Sequence, residues 1–451
     1  MSPMLDRKFP LQVQRWHKFM DKFIIQGGKP LHGTMRPSGN KNAALPMMAA
    51  TLLTEEPVVL KNMPDIEDTR TMGKLLQSLG MKIERDTQSS AWTFQADEIR
   101  PGDLDPDLCR QIRASILLAG PMVTRFGNLT LPPPGGDVIG RRRVDTHILA
   151  LEKLGADFSF NDVFRFSTQG LVGADILLDE ASVTATENTI MAAVLAKGTT
   201  HIRNAASEPH IQELCHLLNA MGAKIDNIGS NVLEIEGVDR LHGAEFTIGP
   251  DYLEVISYVG AAVVTGGEIR IKDAGVEHLR MIQLVLQKLG VGMIFDGDDI
   301  IVPAEQKLEI KPDLGNAIPE ISVMPWPAFP TDLMSIAIVI ATQVKGTILF
   351  HDWMYPSRMF FIDKLVSMGA QIVLCDPHRC IVIGPTKLTA EKLESPDIRA
   401  GIALVLAALS AEGQSTIRNA GQIDRGYEKI EYKLQGLGAD IVRKRTQTIG
   451  N

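Results

Sequence analysis

The sequence predicts an α/β protein of two domains, each built from three repeated units in which sheets surround buried central helices, with a ligand cleft between the domains. Two observations lead to this prediction. A short phrase, an apolar residue followed by glycine at the end of an amphipathic helix, recurs along the chain, and a helix that is apolar nearly all round lies ahead of each copy. The length of 451 residues also exceeds what one ordinary core accommodates.

The recurring phrase marks six units. Its copies are Leu79-Gly80, Leu154-Gly155, Met221-Gly222, Leu289-Gly290, Met368-Gly369 and Leu437-Gly438. Glycine often follows the last turn of a helix because it adopts a left-handed backbone conformation without steric cost. Each copy therefore predicts the end of a helix, and repetition of this kind predicts a repeated architecture.

The apolar helices are predicted over 43–53, 114–120, 189–196, 255–264, 333–344 and 402–409. A helix that is apolar on all sides must be buried, whereas a one-faced helix lies at a surface. Strand-like phrases follow some of these helices, at 199–204, 268–273 and 415–419. Each unit thus offers one buried helix, one surface helix and several short strands.

Charged residues stand at the starts of these apolar helices, where core residues are expected. They are Lys41, Arg113, Asp251 with Glu254, Asp332, and Asp397 with Arg399. Capping or ion pairing explains one or two such residues, but not so many at equivalent points of the repeat. In domains built this way, we expect several of these helix N-termini to point at the gap between the domains. Lys41 opposes the dipole of its helix, which is explained if an anionic ligand lies between them.

Composition limits the function classes. The net charge is −8, which argues against a nucleic-acid partner, and no apolar run is long enough for a membrane span or a signal peptide. Four cysteines without framework spacing predict a reducing cytoplasm. No Walker or dinucleotide motif occurs, so no cofactor is expected. Cys375 to Cys380 is interpreted as a turn between strands, and no metal site is predicted.

Residues 132–145 predict a long loop between a strand and a helix. Three prolines stiffen its entry, Asp137 lies near its tip and three arginines, 141–143, lie at its base. Such a loop can close over an anionic ligand and bring a proton donor with it. A solvated basic surface loop is the alternative interpretation.

Several motifs together resemble the enolpyruvyl transferases, over nearly the whole chain from about Met20 to Arg445. They are 38–43 (SGNKNA), 113–115 (RAS), 135–140 (GGDVIG), 327–332 (PAFPTD), 397–400 (DIRA) and 423–428 (IDRGYE). The resemblance implies two inside-out α/β barrel domains, each of three repeats. We expect an N-terminal extension over 1–19, one domain over 43–249 that carries the loop, and a second over 20–42 plus 250–451.

The resemblance also implies a reaction. Enolpyruvyl would pass from phosphoenolpyruvate to the 3-hydroxyl of UDP-N-acetylglucosamine by addition and elimination, with release of phosphate, at the start of peptidoglycan precursor synthesis. These two small molecules are the expected partners. Three alternatives remain open: another uridine nucleotide as acceptor, shikimate 3-phosphate as acceptor, or a non-catalytic nucleotide-sugar sensor. Shikimate 3-phosphate is disfavoured because the loop and 327–332 follow the nucleotide-sugar branch.

Site residues follow from the same resemblance. The implied catalytic residues are Asp137 as general acid, Asp332 as general base, Lys41 and Arg425. The implied phosphoenolpyruvate-binding residues are Lys41, Asn42, Arg142 and Arg425, with Arg358 and Arg399 for the carboxylate. The implied UDP-sugar-binding residues are Asn42, Arg113, Arg142, Val144, Asp145, Ser182, Val183, Asp332 and Met354.

Four positions depart from the family pattern. Asp137 stands where most members carry cysteine, and an aspartic acid can still donate a proton. Glu180 stands where the family commonly has a lysine near the diphosphate, which a carboxylate would repel. His210 and Gln422 also replace the usual residues. These changes leave the phosphoenolpyruvate residues intact and bear on the identity of the acceptor.

Overall fold

The computed structural model describes residues 20–86, 88–137, 139–140 and 142–446. The predicted extension 1–19 lies outside the described residues, as do Val138 and Arg141 of the loop. Among the described residues, no helix combines the length and apolar character that crossing a membrane requires.

The described helices include nearly fully buried ones and half-buried ones. The α-helices are α1 Lys41–Ala50, α2 Glu67–Ser78, α3 Pro106–Gln111, α4 Ala119–Phe126, α5 Asp145–Lys153, α6 Val183–Ala193, α7 Pro209–Ala220, α8 Tyr252–Thr265, α9 Arg280–Lys288, α10 Met334–Thr342, α11 Ile362–Ser367, α12 Ile398–Ser410 and α13 Ile430–Gly436. Short 3-10 turns cover Thr51–Leu53, Arg113–Leu118, Val276–His278, Leu314–Asn316, Thr331–Leu333, Arg358–Phe361 and Ala420–Arg425.

The described strands are β1 Met20–Gln26, β2 His32–Met35, β3 Val58–Lys61, β4 Lys82–Asp86, β5 Ala91–Gln95, β6 Asn128–Leu131, β7 Asp157–Asn161, β8 Val163–Ser167, β9 Asp175–Leu177, β10 Thr199–Arg203, β11 Lys224–Asp226, β12 Val232–Glu236, β13 Glu245–Thr247, β14 Glu268–Ile271, β15 Ile294–Asp296, β16 Asp299–Val302, β17 Glu320–Ser322, β18 Gly346–His351, β19 Gln371–Asp376, β20 Arg379–Gly384, β21 Lys392–Glu394, β22 Gln414–Arg418 and β23 Asp440–Thr446. They form six small sheets within the described part of the chain.

The sheets share one plan. Five of them have four strands, in the orders β21-β22-β1-β23, β11-β12-β10-β9, β13-β3-β5-β4, β15-β16-β14-β2 and β17-β18-β20-β19, and the sixth is β6-β8-β7. Each four-stranded sheet combines antiparallel neighbours with one parallel pair at an edge. In the first sheet, β1 and β23 are antiparallel, and Met20 lies opposite Thr446.

The buried apolar residues divide into two clusters. One contains residues between Ala43 and Ile248, and the other contains Phe23 to Met35 together with residues between Tyr252 and Ile441. In the second cluster α8, α10 and α12 pack against one another and are buried almost completely. A Cβ at Gly260 of α8 would come within 2.8 Å of Leu406 and 3.0 Å of Ile336. Any larger residue at this position would force these side chains to shift, so the glycine helps the three helices to approach closely.

The six glycines of the repeated phrase all follow a helix and all have a positive φ, as predicted. The φ values are +100° at Gly80, +97° at Gly155, +101° at Gly222, +75° at Gly290, +100° at Gly369 and +93° at Gly438. These conformations satisfy carbonyls at the ends of α2, α5, α7, α9, α11 and α13.

All six predicted buried helices differ from their predicted bounds, and two of them depart most. Residues 114–120 are not one α-helix, because the 3-10 turn Arg113–Leu118 ends where α4 begins. The Gly120 amide donates to Asn188 Oδ1 at 2.8 Å, and Pro121 has no amide hydrogen, so the helical ladder is interrupted there. The helix predicted over 189–196 begins earlier, at Val183. Its first turns contain polar residues that face the cleft, so the apolar pattern behind the prediction starts only after them.

Two chain segments that connect the clusters run side by side. Gly39 and Pro250 form an isolated antiparallel bridge. The Asn40 amide donates to the Gly249 carbonyl at 2.8 Å, and the Asp251 amide donates to the Ser38 carbonyl at 2.9 Å. These crossings place the starts of α1 and α8 next to each other, at the cleft between the clusters.

Candidate active site

One cleft between the two apolar clusters is lined by most of the predicted site residues. Of these, it is lined by Lys41, Asn42, Arg113, Asp137, Arg142, Val183, Asp332, Met354, Arg358, Arg399 and Arg425. The helix N-termini contribute many of them. Asn40 caps α1 by accepting hydrogen bonds from the amides of Asn42 and Ala43, and Asp397 caps α12 in the same way.

Lys41 and Arg425 share a buried carboxylate. Lys41 Nζ lies 2.7 Å from Asp68 Oδ2, and Arg425 Nε lies 3.0 Å from Asp68 Oδ1. Burial acts to raise the pKa of Asp68, but the two cations outweigh it and hold that pKa below its usual value. Asp68 therefore remains ionised and holds both cations at one place.

Arg358 and Arg399 share a second carboxylate. Arg358 Nη2 donates to Asp332 Oδ1 at 2.9 Å, while Arg399 Nε and Nη2 lie 3.1 and 3.0 Å from Oδ2. Burial acts to raise the pKa of Asp332, but Arg399 and Arg358 outweigh it and hold that pKa well below the usual range. In this arrangement Asp332 is a weak base.

Both arginines keep an unused donor. Arg358 and Arg399 are buried, and Arg358 Nε and Arg399 Nη1 have no hydrogen-bond partner within the described residues. Buried polar groups in folded proteins are nearly always hydrogen-bonded. Two unpartnered guanidinium donors in one cleft therefore indicate a site for an anion.

The loop lies across the cleft. Arg113 Nη2 donates to the carbonyls of Arg142 and Arg143, each at 2.9 Å, which fixes the base of the loop. At its tip the Ser357 amide donates to the Ile139 carbonyl at 3.4 Å. Gly140 has a φ of +118° and approaches the ring of Pro356 so closely that a Cβ would lie 2.8 Å away. The described residues of the loop therefore contact both clusters.

Asp137 is the carboxylate that this loop brings into the cleft. Its side chain is only 18% exposed, and it forms an ion pair with Arg425. Gln422 Oε1 accepts a hydrogen bond from the same guanidinium at 3.3 Å. Asp137, the predicted proton donor, thus lies beside Arg425, which the family resemblance implies for binding the phosphate.

Three predicted UDP-sugar residues do not line the cleft. Ser182 caps α6 and immediately precedes Val183, which does line it. Val144 packs against the apolar cluster before α5, and Asp145 is exposed and pairs with Arg143 at 3.2 Å. Glu180 is exposed and also lies outside the lining. No observation tests the binding roles of these residues, which stay predictions.

Several cleft residues were absent from the sequence prediction. They are Asp68, Glu187, Glu208, Tyr252, Trp326 and Tyr355. Asp68 reads as an ordinary acidic residue in the first turn of α2, where the helix dipole favours it. Glu187 was the available signal, because a carboxyl group inside an otherwise apolar helix needs a partner.

The part of the chain that the structure describes contains no group of three or more His, Cys, Asp or Glu side chains arranged to hold a metal ion. Cys375 and Cys380 lie on β19 and β20, which form a hairpin, so the predicted turn between two strands is confirmed. Cys375 is exposed and Cys380 is buried.

Comparison with known proteins decides the family. The model of the family EPSP synthase (3-phosphoshikimate 1-carboxyvinyltransferase) matches residues 25–434. The chain belongs to this family of enolpyruvyl transferases. The resemblance read from the motifs is thereby confirmed.

Relatives within this enolpyruvyl transferase family are similar over their full length. A UDP-N-acetylglucosamine 1-carboxyvinyltransferase of Bradyrhizobium diazoefficiens is 56% identical over 94% of this chain and 98% of its own. One of Treponema denticola is 53% identical over 94% of this chain and 100% of its own. The crystal structure of the enolpyruvyl transferase NikO from Streptomyces tendae shares the α/β fold, with a TM-score of 0.84 at 24% identity over 95% of this chain and 100% of its own.

Proposed function

We propose that this protein transfers the enolpyruvyl group of phosphoenolpyruvate to the 3-hydroxyl of UDP-N-acetylglucosamine, releasing phosphate. Relatives more than half identical carry the name UDP-N-acetylglucosamine 1-carboxyvinyltransferase, which favours this acceptor over shikimate 3-phosphate. The product begins peptidoglycan precursor synthesis, and we place the reaction in the cytoplasm.

The observation that carries the proposal is the pair of cationic centres in one cleft. Lys41 and Arg425 meet at Asp68, while Arg358 and Arg399 meet at Asp332 and keep unused donors. Phosphoenolpyruvate carries a phosphate and a carboxylate, and planar guanidinium groups bind both kinds of anion well. Lys41, Arg425 and Arg142 would hold the phosphate, and Arg358 with Arg399 would hold the carboxylate.

In the first step, the Asp137 carboxyl group donates a proton to C3 of phosphoenolpyruvate, which makes C2 electrophilic. The 3-hydroxyl oxygen of the sugar forms a bond to C2, and Asp332 takes the hydroxyl proton. A tetrahedral adduct results, which still holds the phosphate. In the second step the Asp137 carboxylate takes a proton back from C3, the C2–O bond to phosphate breaks, and Asp332 returns its proton to the leaving phosphate, which gives the enolpyruvyl ether and inorganic phosphate.

Asp332 must change partners for this step. With both arginines bound to it, its carboxylate is a weak base. The carboxylate of phosphoenolpyruvate competes for the same guanidinium groups, so its arrival would free Asp332 and make it more basic. Asp137 would leave Arg425 in the same way when the phosphate arrives. Substrate binding would thus prepare both the acid and the base.

The architecture behind this site is also proposed. The two apolar clusters would be two inside-out domains of three repeats, 43–249 and 20–42 plus 250–451. Support comes from the division of the buried residues and from the crossing at Gly39 and Pro250. In each domain, sheets surround the central helices.

Phosphate release tests the function. The protein is incubated with phosphoenolpyruvate and, in separate reactions, UDP-N-acetylglucosamine, another UDP-sugar or shikimate 3-phosphate. Release should be fastest with UDP-N-acetylglucosamine and should be lost in Asp332→Asn. A preference for another acceptor would overturn the acceptor assignment. Binding of UDP-N-acetylglucosamine without any phosphate release would indicate a sensor.

A further inference from the structure

A second group of cleft residues comes from α6 and the start of α7. Glu187 and His210 are 1% and 3% exposed, and Glu208 lies beside them at the N-cap of α7. Glu187 Oε1, Glu208 Oε2 and both ring nitrogens of His210 have no hydrogen-bond partner among the described residues. All three residues line the cleft.

Burial disfavours the charged form of each residue in this group. Burial, reinforced by the neighbouring Glu208, raises the pKa of Glu187 well above its usual value, and burial raises the pKa of Glu208 as well. Burial lowers the pKa of His210 to about 4, so its imidazole is neutral. A neutral carboxyl group and a neutral imidazole each offer both a hydrogen-bond donor and an acceptor.

Unpartnered buried polar atoms are rare in folded proteins. Three side chains of this kind facing one cleft therefore indicate a ligand that supplies their partners. An anion does not fit this group. The group contains no cation, and an ionised carboxylate within it would repel an anionic ligand. Hydroxyl and amide groups do fit, since they donate and accept without charge.

Two aromatic side chains line the same cleft. Tyr252, which is 5% exposed, and Trp326 have ring centroids 6.2 Å apart at an angle of 46°. The Asp332 carboxylate acts electrostatically on both His210 and Tyr252, so the group lies near the proposed base. Apolar rings combined with a few placed polar groups are typical of small-molecule sites.

We propose that Glu187, Glu208 and His210 form a subsite for the uncharged hydroxyl or amide groups of the acceptor's sugar. This proposal rests on the proposed function, since it assigns these residues to the acceptor of the same reaction. This group would form hydrogen bonds with the non-reacting hydroxyl or amide groups of the sugar, while the reacting hydroxyl lies at Asp332. His210, which departs from the family pattern, would then be a residue that sets acceptor specificity.

Comparing the affinity for UDP with that for UDP-N-acetylglucosamine separates the contribution of the sugar from that of the nucleotide. Both affinities are measured by titration calorimetry for the wild type, Glu187→Leu, His210→Leu and His210→Gln. Each leucine variant should lose about two- to tenfold in affinity for UDP-N-acetylglucosamine, the value of one or more neutral hydrogen bonds, and should bind UDP unchanged. His210→Gln should retain most of the affinity, because glutamine is also neutral and both donates and accepts.

His216→Leu is the matched control, since His216 is exposed on the same helix, and it should bind both ligands like the wild type. Equal losses for UDP and UDP-N-acetylglucosamine in the leucine variants, or no loss for either ligand, would overturn the subsite. If a leucine variant does not fold, UDP-sugars that lack single hydroxyls are titrated against the wild type. Unchanged affinity across that series would equally overturn it.

The two proposals fail separately. Phosphate release by the wild type with UDP-N-acetylglucosamine, combined with no selective loss of sugar affinity in the variants, contradicts the subsite alone. Absence of phosphate release with any acceptor contradicts the proposed function, whatever the binding data show.

Discussion

The two polar groups in the cleft differ in whether the protein itself supplies partners for their polar atoms. At the cationic centres, each of Lys41, Arg425, Arg358 and Arg399 is paired with a carboxylate of the chain itself. At the neutral group of Glu187, Glu208 and His210, four polar atoms have no partner within the described residues. Unpaired buried cations would be far more costly than unpaired neutral groups. A site for anions therefore needs internal carboxylates to occupy it, whereas a site for hydroxyl groups does not.

The largest effect is expected from replacing Asp137. This experiment shows whether Asp137 donates a proton in the reaction or only pairs with a cation of the cationic centre. Asp137→Ala should lose a hundredfold or more in kcat, roughly the range of general acid catalysis. The unmodified protein should resist fosfomycin, an epoxide antibiotic that resembles phosphoenolpyruvate. A carboxylate attacks the epoxide far less readily than the loop thiolate of cysteine-bearing family members. Asp137→Cys should retain some activity and become sensitive.

Time-dependent inactivation and intact mass measure the fosfomycin response. Because Cys375 is exposed, the Asp137→Cys variant is compared with the same variant carrying Cys375→Ser, which should acquire one adduct at the same rate. Progressive inactivation of the unmodified protein, with an adduct on the loop, would show that Asp137 acts as a nucleophile.

Asp332→Asn tests whether the carboxylate at the second centre is both base and placeholder. Turnover should fall by about 10²- to 10⁴-fold, the usual contribution of a general base. Phosphoenolpyruvate should bind as tightly as in the wild type or more tightly, because its carboxylate no longer competes with Asp332 for Arg358 and Arg399. Single-turnover rates and direct titration of phosphoenolpyruvate give the two quantities. Weaker binding would instead mark Asp332 as a support for the arginines.

Arg425→Ala should reduce kcat/KM for phosphoenolpyruvate about ten- to a hundredfold, since a charge-assisted hydrogen bond contributes about 1.5–3 kcal/mol. Affinity for UDP-N-acetylglucosamine should change little, which sharpens the division between the cationic and neutral groups. Arg418→Ala, at an exposed position of β22, is the control and should behave like the wild type. Unaltered steady-state kinetics of Arg425→Ala would remove this residue from the phosphate site.

The smallest effect concerns stability in acid. Burial lowers the pKa of His210 from its ordinary value of 6.5 to about 4. Between these two pH values, the histidine therefore binds a proton in the unfolded chain but not in the folded chain. The contribution of His210 to the free energy of unfolding should therefore decrease as the pH falls from about 6.5 to about 4, by roughly 1.4 kcal/mol per pH unit. Glu187, and Glu213 whose pKa burial raises to about 7, change the stability in the opposite direction. Asp332 does not contribute there, because its depressed pKa makes its contribution vanish only below the ordinary value of 3.8.

Urea unfolding at several pH values checks this. As the pH falls through this range, the free energy of unfolding of His210→Gln should rise relative to that of the wild type, while His216→Gln should follow the wild type. Buried His147, whose pKa burial lowers to about 3, contributes in both variants, so only the difference between them is informative. Equal slopes would show that folding does not lower the pKa of His210.

The sequence predicted what depends on local pattern. The six glycines at helix ends and the cations that start α1 and α12 could be recognised because their neighbours in the chain define their setting. Asp68 could not be recognised, since its partner Arg425 is 357 residues away in the chain. Glu187 was missed because the buried helix was predicted to begin only after its polar first turns. Polar residues inside an otherwise apolar helix indicate a ligand only once the fold shows where they face.

The pairing of β1 with β23 has a consequence for how the chain could be rearranged. Met20 lies opposite Thr446 in that pair, and Cα atoms of paired residues are separated by about 5 Å. A short peptide could therefore join these two points, and new ends could be opened in an exposed turn such as the one at Gly170. Such a circular permutant should fold and retain activity, because the order in which the units are synthesised is not part of what holds the cleft together.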